Sequence, residues 1–508
     1  MKIHGVYHVI INKKQKYLHM KTKIVLFFSL TLGSLLGLKA NNLTITNTSV
    51  AGTNITFKIS WDNSWYSNVA PSNWDAAWIF VKYQDCNTKL WNHASLSTLI
   101  GDHTSAAPLS VETVSDGKGV FLRRSSFGSG NINSVNITLK MNIPAGTYNY
   151  KVFGLEMVAV PQSTYNLGGP GTETTKYNNI TIDATSQSSG LSAATLGGSS
   201  VAVPNTFPMG YNTFYCMKYE ITQLQYVDFL NSLTYTQQAN RTAFDPISAS
   251  GTHALGTQAS ASYNNRNGII VLTPGANAAL PAVYANDLTP TIENNSDDGQ
   301  NIAANLISEA DVFSYLDWAA LRPMSELEYE KACRGPLTSV AGEYAWGSTN
   351  FTRVYNTLGA LVNDNMDTEI YTSVANGRCA CDIVTVGGTT GVSYGPLRVG
   401  IFAESTTGRE SSGASYYGIM ELSGNVWESC VSTRVAGGAA YTGNLGDGTL
   451  DVNGEANQST WPTTTGFALR GGDWYNVPAR ARVSDRNSSN DDASYNSRGV
   501  NKGGRGVR

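Results

Sequence analysis

The feature that most constrains the fold is a series of five segments in which apolar and polar residues alternate. They are NLTITNTSV from Asn42, NITFKISWD from Asn54, AAWIFVKYQD from Ala76, VNITLKMNI from Val135 and GTYNYKVFGL from Gly146. Turns rich in Gly, Asn, Pro and Ser separate them. Alternation with a period of two at this spacing is typical of a β-sandwich. We therefore predict an immunoglobulin-like β-sandwich domain over residues 41–153, without a catalytic constellation.

The later part of the chain combines capped helices with short segments rich in Trp and Gly. FYCMKYEI, from Phe214, has the composition of a strand. Thr222 with Gln225, and Ser325 with Glu328, each have the spacing of a capping box at the start of a helix. This part is predicted to be a second domain of mixed helices, strands and irregular chain.

The chain begins with a pattern typical of export. Residues 20–40, MKTKIVLFFSLTLGSLLGLKA, have a basic start, an apolar run and a small residue at the end. We predict a signal peptide over residues 1–40, with the mature chain beginning near residue 41. No other segment is apolar enough to span a membrane. A bacterial periplasmic, cell-surface or secreted protein is expected.

Charge and cysteine content exclude two kinds of partner. The net charge is −3, only 14% of residues are charged, and no basic stripe is present, which argues against nucleic acid. Of six cysteines, only Cys379 and Cys381 are close in sequence, and this spacing is tight for a disulfide. No second cluster suggests zinc. Most cysteines are predicted to be small buried apolar residues, and disulfide pairing stays open as the alternative.

Six motifs, in order, resemble the formylglycine-generating enzyme or sulfatase-modifying factor family. They are KYEITQLQYVDFLN, LRPMSELEYEKACRG, EYAWGS, YGIMELSGNVWE, LRGGDW and GGRGVR. The resemblance covers residues 155–508, with insertions at 168–200 and 235–298. It implies an α+β protein in which the sandwich is followed by a C-type-lectin-like domain with much irregular structure. Trp346, Trp427 and Trp474 are assigned to its core.

The family's oxidase activity is not expected. In the family's enzymes, a pair of cysteines shortly after the RGGSW-like motif binds copper, which needs soft thiolate ligands. Here no Cys follows Cys430 and no His follows His253. The residues after Trp474 are Tyr, Asn, Val, Pro and Ala. Cys430 is predicted to be a buried residue, and the chain is predicted not to be an enzyme.

The C-terminus, residues 470–508, is similar to the variable segment of diversity-generating retroelement proteins. Those proteins belong to a subset of the same family, and the segment forms their ligand-binding face. Its Asn, Ser, Asp, Tyr and Gly residues are those that adenine substitution in AAC codons yields, and they suit a binding surface. The predicted ligand-binding residues are Asp473, Tyr475, Asn476, Asp485, Asn487, Ser488, Asn490, Asp491, Asp492, Tyr495 and Asn496. An ordinary solvated loop stays open as the alternative.

The turn ELSGNVWE is the candidate metal site. By resemblance to the family, Glu421, Gly424, Val426 and Glu428 would hold calcium through hard oxygen ligands. The alternative is that a carboxylate caps the turn or pairs with an arginine such as Arg470. Calcium is the only cofactor that the sequence suggests, since the copper ligands of the family's enzymes are missing.

The sequence predicts an exported, non-catalytic binding protein whose C-terminal face takes a protein or cell-surface ligand. Two alternatives from other classes stay open. One is a structural component of a bacterial envelope complex of the gliding or secretion type. The other is a formylglycine-generating oxidase, which the missing cysteine pair disfavours.

Overall fold

The computed structural model describes residues 42–256, 265–276, 279–354, 360–383, 395–404, 406–490 and 495–508. The predicted signal peptide lies outside this part of the chain. So do Asp491 and Asp492 of the predicted ligand-binding residues.

The N-terminal part is built of strands in two sheets. The strands are β1 (Thr44–Ala51), β2 (Asn54–Tyr66), β3 (Asp75–Asp85), β4 (Trp91–His93), β5 (Ser95–Leu96), β6 (Thr104–Ser105), β7 (Leu109–Thr113), β8 (Val120–Arg124), β9 (Gly128–Asn142) and β10 (Tyr148–Val160). One sheet has the order β1-β2-β9-β5, with β6 also paired to β9, and the other strands belong to the second sheet. The five strands predicted from the alternating pattern are confirmed as β1, β2, β3, β9 and β10.

Strand β3 departs from the predicted alternation, because residues 76–81 are all apolar and both faces of the strand are covered. Ile79 and Val81 pack into the core between the two N-terminal sheets. Trp78 and Phe80 point the other way, into the large core of the C-terminal part. Successive side chains of a strand point to opposite faces, so the part of β3 that lies between two cores, residues 76–81, is apolar at successive positions.

The C-terminal part combines short strands and short helices with long irregular connections. Its strands are β11 (Tyr165–Leu167), β12 (Ile180–Ile182), β13 (Phe214–Met217), β14 (Ile269–Thr273), β15 (Val283–Asn286), β16 (Arg322–Ser325), β17 (Thr352–Arg353), β18 (Leu361–Val362), β19 (Ile370–Tyr371), β20 (Arg378–Cys379), β21 (Trp427–Val431), β22 (Phe467–Arg470), β23 (Lys502–Gly503) and β24 (Gly506–Val507). Its helices are α1 (Ala184–Ser189), α2 (Ala193–Leu196), α3 (Gln223–Leu230), α4 (Tyr235–Arg241), α5 (Glu309–Trp318), α6 (Glu326–Arg334) and α7 (Ala436–Ala439). The chain is an α+β protein with more strand than helix.

Both predicted capping boxes are present. The Thr222 side chain accepts from the Gln225 amide and begins α3, and Ser325 accepts from the Glu328 amide and begins α6. In each box the Gln or Glu side chain accepts in return from the amide of the capping residue. These reciprocal bonds satisfy backbone donors that the first turn of a helix leaves free.

One sheet runs through both parts of the chain, in the order β22-β21-β16-β24-β13-β10-β3-β8-β7. The predicted boundary between the domains, near residue 154, falls inside β10. This strand pairs with β3 over its length and with β13 at its C-terminal end. The predicted insertions at 168–200 and 235–298 also contain regular structure, namely β12, α1 and α2 in the first and α4, β14 and β15 in the second.

The C-terminal segment, which we define as residues 471–501, leaves and rejoins the sheet beside the same strand. Before the segment, β22 is antiparallel to β21, and after it β23 is parallel to β21. The final strand β24 then lies between β13 and β16, with Val507 fully buried. Both ends of the segment are therefore fixed to the centre of the fold.

Candidate ligand-binding site

A buried ion-pair network fixes the C-terminal segment at two points. Arg470 Nη1 and Nη2 lie 3.0 Å from Glu326 Oε1 and 2.9 Å from Glu330 Oε1. Arg486 donates to both oxygens of Glu326, from Nε at 2.8 Å and from Nη2 at 2.7 Å. All four side chains are inaccessible to solvent. Helix α6 thus holds the two arginines on one turn of its buried face.

The electrostatics of the network match its geometry. Burial alone would raise the pKa of Glu326, but the charges and hydrogen bonds of Arg486 and Arg470 lower it to about 2. A buried carboxylate with two charged partners stays ionised. Glu326 is therefore an anion throughout the neutral range. Removing either arginine would leave its buried negative charge only partly neutralised.

Residues 168–200 pack over Arg486, the second of the two anchoring arginines. The guanidinium of Arg486 lies 3.7 Å from the centre of the Tyr177 ring. Its Nη1 donates to the carbonyls of Thr175 and Gly198, at 3.1 and 2.7 Å. The predicted insertion therefore contributes directly to the placement of the C-terminal segment.

The first turn of the segment is organised by Asp473 and Trp474. Trp474 is buried, and its Nε1 donates to the carbonyl of Val500 at 3.2 Å. The Asp473 carboxylate accepts from the amides of Tyr475 and Asn476 at 2.7 and 2.9 Å, and from Asn476 Nδ2 at 2.6 Å. Burial raises the pKa of Asp473, and these hydrogen bonds oppose the rise.

Two of the predicted ligand-binding residues therefore face inward, and the prediction that they are exposed is wrong. Asp473 is fully buried and shapes the turn after β22. Asp485 is also buried; it accepts from the Asn487 amide at 3.2 Å and lies 3.7 Å from Arg480. Short acidic side chains often bond to nearby backbone amides in turns, and both residues do so here.

The remaining described members of the predicted set lie at or near the surface. Tyr475, with 46% of its surface exposed, is accompanied by exposed Asn487, Asn490 and Asn496 and by half-buried Asn476 and Ser488. We call these six residues the outer face. Tyr495 differs from them because its ring stacks on Phe467, with centroids 4.3 Å apart. Its ring packs against the large core, so it is mainly an anchor.

In the candidate calcium turn, one oxygen of each carboxylate has a protein partner, and the Oε2 atoms of Glu421 and Glu428 are buried without a hydrogen-bond partner. Arg505 donates to Glu428 Oε1 from Nε at 2.6 Å, and Gly400 N donates to Glu421 Oε1 at 2.9 Å. Burial raises the pKa of both carboxyls, that of Glu421 to about 7, while the charge of Arg505 opposes the rise.

This arrangement places the guanidinium of Arg505 at the calcium site predicted at Glu421, Gly424, Val426 and Glu428. A cation at Glu428 would meet the charge of Arg505 on the same carboxylate, and calcium needs six or more oxygen ligands. Within the described ranges, no group of three or more His, Cys, Asp or Glu side chains is placed to hold a metal ion. The alternative of a carboxylate–arginine pair is the one present, with Arg505 in the place suggested for Arg470.

Sequence reasoning missed two parts of the site. The first is the pair Glu326 and Glu330, since charged residues on a helix usually indicate a solvated face. The second is the segment around Cys379 and Cys381. The amides of Asp382 and Ile383 donate to the carbonyls of Asn476 and Trp474, at 2.8 and 3.2 Å. No spacing in the sequence relates these two regions, which are almost a hundred residues apart.

The comparison with protein families agrees with this architecture. The model of the sulfatase-modifying factor enzyme 1-like domain matches residues 170–501, well over half of the chain. The chain belongs to this family. Its family domain thus begins just after β11 and includes the anchoring helix α6, both arginines and the whole C-terminal segment.

Among solved structures, Treponema denticola variable protein 1 is similar to the chain. The identity is 12%, the TM-score is 0.28, and the match covers 70% of this chain and 95% of that one. No curated protein matches the chain significantly. In the part of this sulfatase-modifying factor family member that the structure describes, no helix has the length and apolarity needed to cross a membrane.

Proposed function

We propose that this member of the sulfatase-modifying factor family is an exported, non-catalytic binding protein. Its outer face binds a protein or a cell-surface ligand. The observation that carries the proposal is a contrast between the C-terminal segment's anchors, which include the preceding Arg470, and its outer side chains. Arg470, Trp474 and Arg486 are fixed in buried contacts, while the Tyr and Asn side chains between and beyond them are exposed. Such a segment can accept substitutions at its exposed positions without disturbing the packing of the core.

The residue types of the outer face support this proposal. Tyr offers a large, rigid contact area, and Asn and Ser offer adaptable hydrogen bonds, as in antibody binding loops. The same residue types, placed between fixed motifs, support the further proposal that a retroelement diversifies residues 470–508.

The absence of soft ligands after Trp474 argues against oxidase activity in this chain. No Cys follows Cys430 in the sequence. The adjacent thiols of Cys379 and Cys381 are buried, and burial raises the pKa of Cys381 well above its usual value. Copper binding and formylglycine formation need thiolates that are accessible and ionised.

Binding by the outer face can be tested with matched variants. Fluorescently labelled protein is mixed with a panel of intact bacterial and animal cells, and bound fluorescence is measured by flow cytometry. The double variant Asn487→Ala/Asn490→Ala should lose most of the binding. The control Asn87→Ala/Asn136→Ala changes two exposed asparagines of the N-terminal part and should bind like the wild type. Equal loss in both variants would contradict the proposal.

Diversification is tested at the gene itself. Sequencing the surrounding locus should reveal a reverse transcriptase gene and a template repeat that matches the codons for residues 470–508. A locus without either would leave a fixed binding surface and would rule out diversification in this chain.

A further inference from the structure

Cys379 and Cys381 lie side by side beneath the first turn of the C-terminal segment. Their sulfur atoms are 3.2 Å apart, and both side chains are fully buried. A disulfide bond is about 2.05 Å long, so bond formation requires the sulfurs to approach by only about 1 Å. The Cys-x-Cys spacing, although tight for a disulfide, leaves the two sulfurs close to bonding distance.

Backbone hydrogen bonds fix the chain at and next to the two cysteines. Cys379 pairs with Arg353 in the ladder between β17 and β20. The carbonyl of Ala380 accepts from the Asn425 amide at 2.8 Å. Directly after Cys381 the chain turns at Asp382, which has a φ of 63° in the left-handed region. These constraints keep the two sulfurs adjacent, because neither flank can move away without breaking backbone hydrogen bonds.

We propose that Cys379 and Cys381 form a disulfide when the chain folds in an oxidising compartment. The oxidant is an external disulfide, either of a small thiol or of a dithiol protein. One cysteine sulfur attacks it to form a mixed disulfide, and the second cysteine then displaces the remaining external sulfur. Two S–H bonds are broken, one S–S bond forms within the chain, and the external disulfide leaves as two thiols that carry both protons and both electrons.

The position of the pair couples this bond to the outer face. Asp382 and Ile383, which follow Cys381, donate their amides to the carbonyls of Asn476 and Trp474. Tyr475 lies between those two acceptors. A disulfide that restrains Cys381 therefore also restrains the turn that presents Tyr475. The ring closed by a Cys-x-Cys disulfide is small and strained, which makes the bond more easily reduced than an ordinary structural disulfide.

Mass spectrometry tests the bond directly. The protein is reduced, unfolded and refolded in the presence of oxidised and reduced glutathione, because both thiols are buried in the folded chain. It is then denatured, alkylated and digested with trypsin, which releases both cysteines in one peptide, residues 379–398. We expect this peptide to carry no alkyl group and to be lighter by two hydrogen atoms than after reduction. Peptides with Cys86, Cys216, Cys333 and Cys430 should be alkylated, as the control.

Hydrogen exchange tests the coupling. Amides of residues 474–476 should exchange more slowly in the oxidised than in the reduced protein. The difference should persist in Cys86→Ser and disappear in Cys379→Ser/Cys381→Ser. Two alkyl groups on peptide 379–398 after oxidation, or a cross-link from it to another cysteine, would overturn the proposal. So would one copper ion bound per chain and lost in the double variant, since that would assign the thiols to a metal.

Discussion

Arg486 donates two hydrogen bonds to the carboxylate of Glu326, at 2.8 and 2.7 Å, in a position that solvent does not reach. This pair joins the middle of the C-terminal segment to the N-terminal end of α6. Arg470 reaches the same carboxylate from the end of β22. The position of the outer face thus depends on charges that are entirely inside the molecule.

The first prediction concerns this pair. Replacing Arg486→Ala should lower the free energy of unfolding by about 3–5 kcal/mol, because it leaves a buried carboxylate with only part of its compensation. The control is Arg480→Ala, whose side chain is 30% exposed and lies 3.7 Å from Asp485. That change should cost less than about 1 kcal/mol. Urea unfolding measures the free energy of unfolding of both variants. Equal losses would show that the buried pair stabilises the fold no more than the exposed one.

The second prediction separates two tyrosines of the predicted ligand-binding set. Tyr495→Ala should lower the melting temperature, because the ring stacks on Phe467 and packs against the large core. Tyr475→Ala should change the free energy of unfolding by no more than about 0.5 kcal/mol, since its ring is 46% exposed. Thermal unfolding followed by circular dichroism decides the matter. A stability loss for Tyr475→Ala as large as that for Tyr495→Ala would place both rings in the core.

Patterns that depend on neighbours in sequence were sufficient for the local structure. The alternation in β2 and the capping boxes at Thr222 and Ser325 involve residues only two or three positions apart. The predicted core positions of Trp346, Trp427 and Trp474 are confirmed. They lie in motifs whose order along the chain was sufficient to identify the family.

Features that depend on distant partners were not predictable in this way. Asp473 and Asp485 bond to amides only two or three positions away, but no pattern in the nearby sequence shows that distant parts of the chain bury them. Glu326 and Arg486 are separated by 160 positions. That a strand crosses the predicted domain boundary was unpredictable for a related reason. β10 packs against a core on each of its faces. Its apolar run therefore does not show where the N-terminal part ends and the C-terminal part begins.

The third prediction concerns the pH dependence of stability at Glu421. Burial raises the pKa of this carboxyl from 4.5 to about 7 in the folded protein. Between these values the folded state binds more protons at Glu421 than the unfolded state, so its contribution to stability falls as the pH rises. Glu421→Gln should therefore flatten the decrease in melting temperature between pH 5 and 7. The exposed Glu293→Gln is the control and should follow the wild type. Identical pH profiles for wild type and Glu421→Gln would contradict the assignment.

The last prediction concerns calcium. Chelation with EGTA should leave the melting temperature unchanged, because Arg505 already occupies the Glu428 carboxylate at 2.6 Å. Arg505→Met should destabilise the protein in EGTA, since Glu220, Glu421 and Glu428 are all buried and would lose their shared cation. Adding calcium to this variant tests whether the carboxylates can accept a metal once the guanidinium is gone. A fall in the wild-type melting temperature on chelation, reversed by calcium, would show that the ion binds despite Arg505.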